Sequence, residues 1–244
     1  MQTDRWDEHL SRISTMWTKL RRAHEGSHEA AVSARQELMQ RYCGAVYRYL
    51  LGAVRDPHVA DDLTQEFALR FISGRFRGAD PERGRFRDYV KRGLFNLVHD
   101  YRKRQLKEPR AVSLEHNEPA AQGQDVDAEE TFLASWRQEL LARAWQALTE
   151  VQEKTGQPYQ SVLRFRVEHP DLRSPQMAEQ LSALLGKPLT AAGLRQLLHR
   201  AREKFAEALI EETRHSLGAA TQEQLEEELA DLDLLKYCQS ALHE

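Results

Sequence analysis

Apolar residues recur at helical spacing along almost the entire chain, and this periodicity limits the fold more than any other feature. The clearest case is the stretch Gly84–Arg104, where the apolar residues fall three or four positions apart. They are Phe86, Val90, Leu94, Leu97 and Tyr101. Such spacing predicts an amphipathic α-helix with one buried face. Alternating polar and apolar residues, the pattern of a β-strand, are missing. We therefore expect an all-α fold.

Capping residues divide the chain into successive helices. Asp56-Pro57 and Ser174-Pro175 each combine an N-cap residue with a proline in the first turn, which predicts a helix start. Thr190 predicts a further N-cap, and Gly186 a C-cap. The remaining periodic stretches predict helices at Arg5–Glu25, Glu29–Leu51, Thr131–Thr155 and Tyr159–His169, and an acidic helix begins with a capping box at Thr221.

A change in composition predicts two helical domains. Residues 107–128 contain two prolines, a glycine and few large apolar groups, so we expect a flexible linker there. The linker is acidic, because residues 113–131 hold six Asp/Glu and no Lys/Arg. It separates an N-terminal helical domain at 1–106 from a C-terminal domain at 129–215. An acidic helical extension follows at 216–244, with seven acids and one lysine.

The formal net charge of −3 hides a basic region around the Gly84–Arg104 helix. Residues 75–110 hold twelve Lys/Arg and five Asp/Glu. The helix face opposite the apolar stripe carries mostly basic and amide side chains, with Tyr89 and Phe95 beside it. That face consists of Arg85, Asp88, Arg92, Asn96, His99 and Lys103. Cations neutralise phosphates and aromatic rings stack on unpaired bases, so this surface suits opened or single-stranded DNA. An ordinary solvated helix surface is the alternative.

Two helices joined by a short turn form a helix-turn-helix candidate in the second domain. In the helix after Thr190, the apolar residues predict the buried face and the polar residues the outward one. The outward or lateral residues are Arg195, Gln196, His199, Arg200 and Arg202. Arginine and glutamine make bidentate contacts to base edges in the major groove. A solvated helix of an ordinary bundle would show the same pattern.

Catalytic and metal-binding patterns are sparse. There is no phosphate-binding glycine loop, nucleophile elbow or zincin motif, so we expect neither an enzyme nor a cofactor. His24 and His28 have the spacing of helical metal ligands, but Gly26 and Ser27 lie between them, and no metal site is expected. The carboxylates of Asp61, Asp62 and Glu66 are more simply surface acids than a catalytic pair.

The remaining features indicate a cytoplasmic protein. Cys43 and Cys238 lie far apart without metal-like spacing, which favours free thiols in a reducing compartment. The N-terminal residues are too polar for a signal peptide. No apolar stretch is long enough to span a membrane.

Three blocks of sequence resemble the extracytoplasmic-function (ECF) sigma factors, two-domain promoter-recognition subunits of bacterial RNA polymerase. Residues Ala60–Arg70 (ADDLTQEFALR) resemble the helix that contacts the polymerase β′ clamp. Residues 84–102 resemble the segment that melts and binds the −10 element, although Arg92 lies four positions before Asn96 instead of adjacent to it. Residues 178–202 resemble the helix-turn-helix that binds the −35 element, with a longer turn than usual. The likeness covers about residues 35–215.

The resemblance implies three groups of binding residues. The polymerase-binding group is Asp61, Asp62, Leu63, Gln65, Glu66, Leu69 and Arg70. The −10 group is Arg85, Phe86, Arg87, Tyr89, Arg92, Phe95, Asn96, His99, Arg102, Lys103 and Arg104. The −35 group is Thr190, Arg195, Gln196, His199, Arg200, Arg202 and Lys204. Core RNA polymerase and promoter DNA are the implied partners, an anti-sigma factor is a further candidate, and no membrane partner is expected.

Two other functions remain open on the sequence. A helix-turn-helix regulator would bind intact duplex DNA without polymerase and would not need the acidic Ala60–Arg70 helix. A sigma-like helical adaptor would bind proteins and not DNA. The expected activity that separates a sigma factor from both is promoter-selective transcription with core RNA polymerase.

Overall fold

The computed structural model describes residues 29–73, 85–107, 124–217 and 220–242. Within these ranges the chain forms nine α-helices and no β-strand, which confirms the all-α prediction. The helices are α1 (Glu29–Val54), α2 (Pro57–Ile72), α3 (Phe86–Lys107), α4 (Gln124–Thr155), α5 (Tyr159–Glu168), α6 (Ser174–Leu185), α7 (Ala191–Leu217), α8 (Gln222–Asp231) and α9 (Leu235–Leu242). The helix predicted at Arg5–Glu25, the turn before Arg85 and most of the predicted linker lie outside the described residues.

The chain divides into two compact units, Met1–Trp136 and Arg137–Glu244. The division falls inside α4, which begins at Gln124 and therefore includes the last residues of the predicted linker. Acidic side chains near a helix N-terminus interact favourably with the helix dipole, so Asp127 and Glu129 suit the first turns of α4. The acidic residues at the end of the predicted linker thus lie in the first turns of a helix, where their charge is favourable.

The first unit has an aromatic core built from α1, α2, α3 and the first turns of α4. Its largest fully buried side chains include Tyr42, Phe67, Phe132 and Trp136. The α3 stripe behaves largely as predicted, because Val90, Leu94 and Leu97 are buried, while Phe86 and Tyr101 are half-buried. Burial of such side chains is the main favourable term in folding, so the periodic stripe accounts for the position of α3.

The start of α2 confirms a predicted cap. The Asp56 carboxylate accepts hydrogen bonds from the backbone N–H groups of His58, at 2.8 Å, and Val59, at 3.2 Å. Pro57 is the first helical residue, where a missing N–H has no cost. This cap fixes where α2 begins, and hence which residues of α2 reach the surface.

The second unit packs α5, α6 and α7 around Leu148 of α4 and buries a continuous apolar cluster. Gly186 follows the last residue of α6, and its φ of 63° is the left-handed conformation expected of a C-cap. The Thr190 hydroxyl accepts a hydrogen bond from the Gly193 N–H at 3.1 Å, so it caps α7 as predicted. The N-cap of α6 is Arg173, one residue before the predicted Ser174, because its N–H donates to the Gln176 side chain at 3.1 Å.

The C-terminal extension forms two helices, and the prediction of one continuous acidic helix was wrong. The predicted capping box is present, since Thr221 and Gln224 exchange side-chain and backbone hydrogen bonds at 2.9 and 3.3 Å. The helix breaks around Asp233, which has a positive φ of 54°. This break turns Leu234 into the core, where it is fully buried, and lets α9 as well as α8 pack on α7.

Candidate nucleic-acid interface

One face of α3 presents a row of exposed polar side chains. Arg92, Asn96, His99 and Lys103 are all exposed and follow one another at helical spacing. This is the face that the sequence analysis placed opposite the apolar stripe. Arg102 and Arg104 are also exposed. The face therefore combines fixed positive charge with an amide and an imidazole, groups that contact phosphates and base edges.

The aromatic residues beside this face pack inside the first unit. The ring of Phe95 stacks on that of Tyr49, with ring centroids 5.6 Å apart. The ring centroid of Tyr89 lies 6.0 Å from that of Phe71. Phe95 and Tyr89 are both half-buried, so these contacts do not enclose them completely. The ring of Phe86 packs against that of Tyr42, with ring centroids 5.5 Å apart. The Phe86 ring is therefore directed into the core of the first unit.

The structure buries Arg87, one of the residues that the resemblance assigned to −10 binding. Its relative exposure is 6%, so the side chain lies inside the unit and not on the polar face. The helical position explains the difference, because Arg87 precedes the buried Val90 by three residues and shares its face. Arg85 is half-buried at the start of α3, where its carbonyl accepts from the Asp88 N–H at 3.0 Å.

The predicted polymerase-binding residues of α2 divide between the surface and the core. Asp62 is exposed, and Leu69 is an exposed large apolar residue with a relative exposure of 45%. Asp61 and Gln65 are half-buried. Leu63 has a relative exposure of only 3% and packs in the core, so it is not available to a partner. An acid and an apolar side chain thus remain exposed along α2.

Four charged residues connect α2 with α3, a feature that the sequence analysis missed. Glu66 and Arg70 of α2 form an ion pair with each other. Glu66 Oε2 also lies 3.3 Å from Arg104 Nη2, and Arg70 Nη1 lies 3.8 Å from Asp100 Oδ2. On each helix an acid precedes a base by four residues. The acid of one helix faces the base of the other, so each contact between the helices joins opposite charges. We call these four residues the ion-pair square.

A further ion pair joins α3 to α4 within the first unit. Lys91 Nζ lies 2.7 Å from Glu129 Oε1 and 3.5 Å from Asp88 Oδ1. Phe132 and Trp136, a little further along α4, are completely buried. Charge and apolar packing therefore both hold the first turns of α4 against this unit.

The N-terminal half of α7 exposes the predicted outward residues together. Arg195, Gln196, His199, Arg200 and Arg202 are all exposed, whereas Leu194, Leu198 and Ala201 are buried. The residues 186–190 join α6 to α7, and the Ser182 hydroxyl accepts from the Leu189 N–H at 2.8 Å. This hydrogen bond holds the turn against α6.

Three members of the predicted −35 group have partners within the chain. His199 Nε2 lies 3.2 Å from Glu203 Oε1, and the Thr190 hydroxyl is used in capping. Lys204 donates to Glu207 at 2.6 Å. That hydrogen bond raises the pKa of Lys204, which stays charged, and the Glu207 carboxylate partly balances its positive charge. Arg195, Gln196 and Arg200 are therefore better candidates for direct DNA contacts than Lys204.

The extension packs on the C-terminal half of α7 and leaves the outward residues of the N-terminal half exposed. The α7 residues buried there include Leu209, Ile210 and Thr213. From α9, Cys238 is fully buried, and desolvation raises its thiol pKa to about 11. A thiol that stays protonated at neutral pH is a poor metal ligand and nucleophile. The extension is thus part of the core of the second unit.

No group of three or more metal-ligating side chains occurs in the described part of the chain. None of the described helices is long and apolar enough to cross a membrane.

Comparison with known proteins identifies the domain that contains α2 and α3. Residues 38–108 match the family model Sigma-70 region 2, whereas no curated protein and no solved structure matches. This match confirms the resemblance at the level of the sigma-70 family. The sigma-70 family implies RNA polymerase and promoter DNA as partners.

Proposed function

We propose that this chain, which carries a sigma-70 region 2, works in the cytoplasm as an ECF-type sigma factor. It binds core RNA polymerase, recognises a promoter with its two helical units and allows transcription to start. The match at residues 38–108 carries the proposal, because it includes both the acidic α2 and the basic α3. The ECF assignment rests on the three sequence blocks and on the second helical unit that follows region 2.

The exposed side of α2 is the proposed polymerase contact. Asp62 and Leu69 are exposed there, with Gln65 half-buried between them. A carboxylate recognises a basic partner surface and helps to select it, while an apolar side chain contributes burial at the centre of a contact. The β′ clamp is the partner that the resemblance implies.

The polar face of α3 is the proposed −10 contact. Its cations attract the phosphates of a melted strand, and Asn96 supplies an amide that can pair with a base edge. Phe95 and Tyr89 lie beside this face and are half-buried. An unpaired base can stack on such a ring, an interaction worth about 1–3 kcal/mol per base.

The exposed N-terminal half of α7 is the proposed −35 contact, with α6 and the residues 186–190 completing a helix-turn-helix. Arg195, Gln196 and Arg200 face outward and have no partner among the ion pairs and hydrogen bonds described above. Their chemistry suits guanine and adenine edges in the major groove. Two DNA-binding units on one chain raise the affinity for a promoter with two suitably spaced elements.

A helix-turn-helix regulator that acts without polymerase is the second candidate. The observation in its favour is that the outward residues of α7 are exposed in a unit that has its own core. Such a protein would bind a specific duplex as the isolated chain. It would leave the exposed acid and leucine of α2 without a function.

Selection of DNA fragments with and without polymerase distinguishes these functions. A randomised promoter library is incubated with the chain alone, with core polymerase alone, and with both, and bound fragments are sequenced. We expect two conserved elements at a fixed spacing only when both components are present. One conserved duplex element selected by the chain alone would support the regulator instead. No enrichment in any sample, with the chain co-eluting with polymerase, would support a helical adaptor.

A further inference from the structure

We propose that the C-terminal extension and the second half of α7 form a groove that binds a basic segment of a partner protein through one apolar anchor side chain. The inference goes beyond the proposed function and does not depend on it, because the residues that line this groove lie outside the three binding groups. The groove lies on the second unit between α7, α8 and α9. Its volume of about 350 Å³ is at the low end of the range for binding sites, so it has room for an anchor side chain.

The floor of the groove is apolar and exists because the extension packs on α7. Ile210 of α7 is buried, and Ala241 and Leu242 of α9 are half-buried. All three line the groove, and the contacts of α8 and α9 with α7 bring them together. Filling a concave apolar surface with an apolar side chain removes both from water, so the floor favours an aliphatic or aromatic anchor.

Acidic side chains form one end of the groove. Glu207 and Glu211 line it four residues apart on α7, with side chains 52% and 60% exposed. Each lies close to a basic neighbour on the same helix, Glu207 to Lys204 and Glu211 to His215. Exposed pairs of this kind contribute little to stability, so both carboxylates can accept a cation of a partner instead.

Arg214 gives the groove a direction. It lines the groove one turn further along α7 than Glu211, and it donates to the Gln222 side chain of α8 at 3.5 Å. The cations of a partner are therefore attracted to the acidic end and repelled at the Arg214 end. We expect the basic residues of the partner to lie on one side of its apolar anchor.

The charge around the groove favours a basic protein segment over a nucleic acid. Residues 191–202, the first part of α7, contain three Arg and no Asp/Glu, whereas residues 203–244 contain eleven Asp/Glu and three Lys/Arg. The first part is the proposed DNA contact. The acidic part repels phosphates and attracts lysine and arginine, so charge complementarity selects the occupant.

An exposed aromatic residue extends the groove along α9. Tyr237 is 52% exposed and lies four residues before Ala241, so the two are on the same side of the helix. Tyrosine is enriched in the contact surfaces of protein interfaces. The Lys236 ammonium already lies 5.3 Å from the centroid of the Tyr237 ring, which shows that a cation can approach it. A lysine or arginine of the partner can pack on this ring in the same way.

Selection from a display library of short random peptides on the immobilised full chain tests the chemistry of the occupant. We expect enriched peptides that combine one large apolar residue with Lys/Arg clustered on one side of it. Acidic peptides selected by the basic faces of α3 and α7 are an internal comparison, because changes in the groove should not affect them. The affinity of each enriched peptide is then measured by fluorescence anisotropy.

Two changes in the groove locate the binding site. Ala241→Trp fills the groove, and Glu207→Gln combined with Glu211→Gln removes its acidic end. Each should weaken the basic peptides about five- to tenfold, as expected for loss of the anchor site or of two exposed ion pairs. Glu150→Gln combined with Glu153→Gln is the matched control, since these α4 acids of the second unit are also exposed but do not line the groove. Melting temperatures show whether each variant is folded, and the glutamine pair decides the outcome if Ala241→Trp is not.

The proposal is overturned if no basic peptide is enriched, or if the groove variants and the control weaken the peptides equally. Loss of oligonucleotide affinity in Ala241→Trp would show that a nucleic acid occupies the groove and would also overturn it. These measurements use no polymerase, so failure of the sigma-factor function would leave their result unchanged.

Discussion

Tyr42 of α1 and Trp136 of α4 stack with ring centroids 4.6 Å apart and planes 12° from parallel. Trp136 lies 28 residues beyond the end of the region 2 match at residue 108, yet it is completely buried in the first unit. The Trp136 ring also packs against that of Phe86 of α3, with ring centroids 6.1 Å apart. The first turns of α4 are therefore a structural part of the unit that contains the region 2 match.

We expect Trp136→Ala to destabilise the first unit by about 3–5 kcal/mol, the usual cost of removing a large buried aromatic side chain. Trp136→Phe keeps most of the ring contacts and should cost much less. Chemical denaturation followed by circular dichroism measures both. Equal stability of wild type and Trp136→Ala would show that α4 is not part of this core.

The α2 surface gives a prediction with an internal control. Asp62→Lys and Leu69→Ser should each weaken binding to core polymerase while leaving the melting temperature of the free chain nearly unchanged, because both side chains are exposed. Leu63→Ala should instead lower stability by about 2–5 kcal/mol, since it leaves a cavity. Anisotropy with labelled protein and thermal melts test these effects. Unchanged polymerase affinity for both surface variants would remove α2 from the interface.

Phe95 can be tested for base stacking separately from packing. Phe95→Leu retains an apolar group against Tyr49 but lacks an aromatic face, so it should reduce promoter opening more than it reduces stability. Loss of one stacked base, about 1–3 kcal/mol, corresponds to about a 5- to 150-fold loss in opening. Permanganate footprints of the complex with polymerase report the melted region. Opening as efficient as in wild type would make Phe95 a purely structural residue.

Helix α7 allows a contrast between Arg200, which has no ion-pair partner in the described part of the chain, and Lys204, which has one. Arg200→Ala should cost about 1–3 kcal/mol of promoter affinity and relax the preference at one −35 base pair, as expected for a base-reading arginine. Lys204→Ala should have a smaller effect, because Lys204 already donates to Glu207. A randomised −35 library read by transcription compares the two. If alanine at Arg195, Gln196 or Arg200 never shifts the selected sequence, α7 does not read the element.

Burial of Cys238 predicts a loss of stability at alkaline pH. Desolvation raises the pKa of this thiol from its ordinary value of 9.0 to about 11. Between these two pH values the thiol is protonated in the folded chain and ionised in the unfolded chain. The resulting stabilisation is complete below pH 9 and decreases as the pH rises towards 11. The melting temperature of wild type should therefore fall more steeply in this range than that of Cys238→Ala. If the melting temperatures of the two proteins fell equally between pH 9 and 11, burial of the Cys238 thiol would be contradicted.

The features predicted well from sequence are those set by local chemistry. The Asp56 and Thr221 caps and the Gly186 C-cap depend on a few neighbouring residues, and all three are present. The buried stripe of α3 follows from helical periodicity, which fixes which residues share a face. These features need no knowledge of what each helix packs against.

The features missed depend on distant parts of the chain. Leu63 is an exception, because it lies four and eight residues before Phe67 and Phe71 and helical periodicity predicts its burial. The resemblance, not the periodicity, assigned it to the polymerase surface. The ion-pair square joins residues 38 or 30 positions apart, Glu66 with Arg104 and Arg70 with Asp100. The break at Asp233 is stabilised by burial of Leu234, which becomes visible only when α9 packs on α7.

Transcription with purified components tests the central claim most directly. Core RNA polymerase is incubated with the chain and with a template that carries a promoter selected from the library, and run-off transcripts are measured. We predict a transcript of defined start that depends on the chain, and that is lost with the polymerase-surface variant Asp62→Lys. Equal transcription with and without the chain, over all selected templates, would contradict its function as a sigma factor.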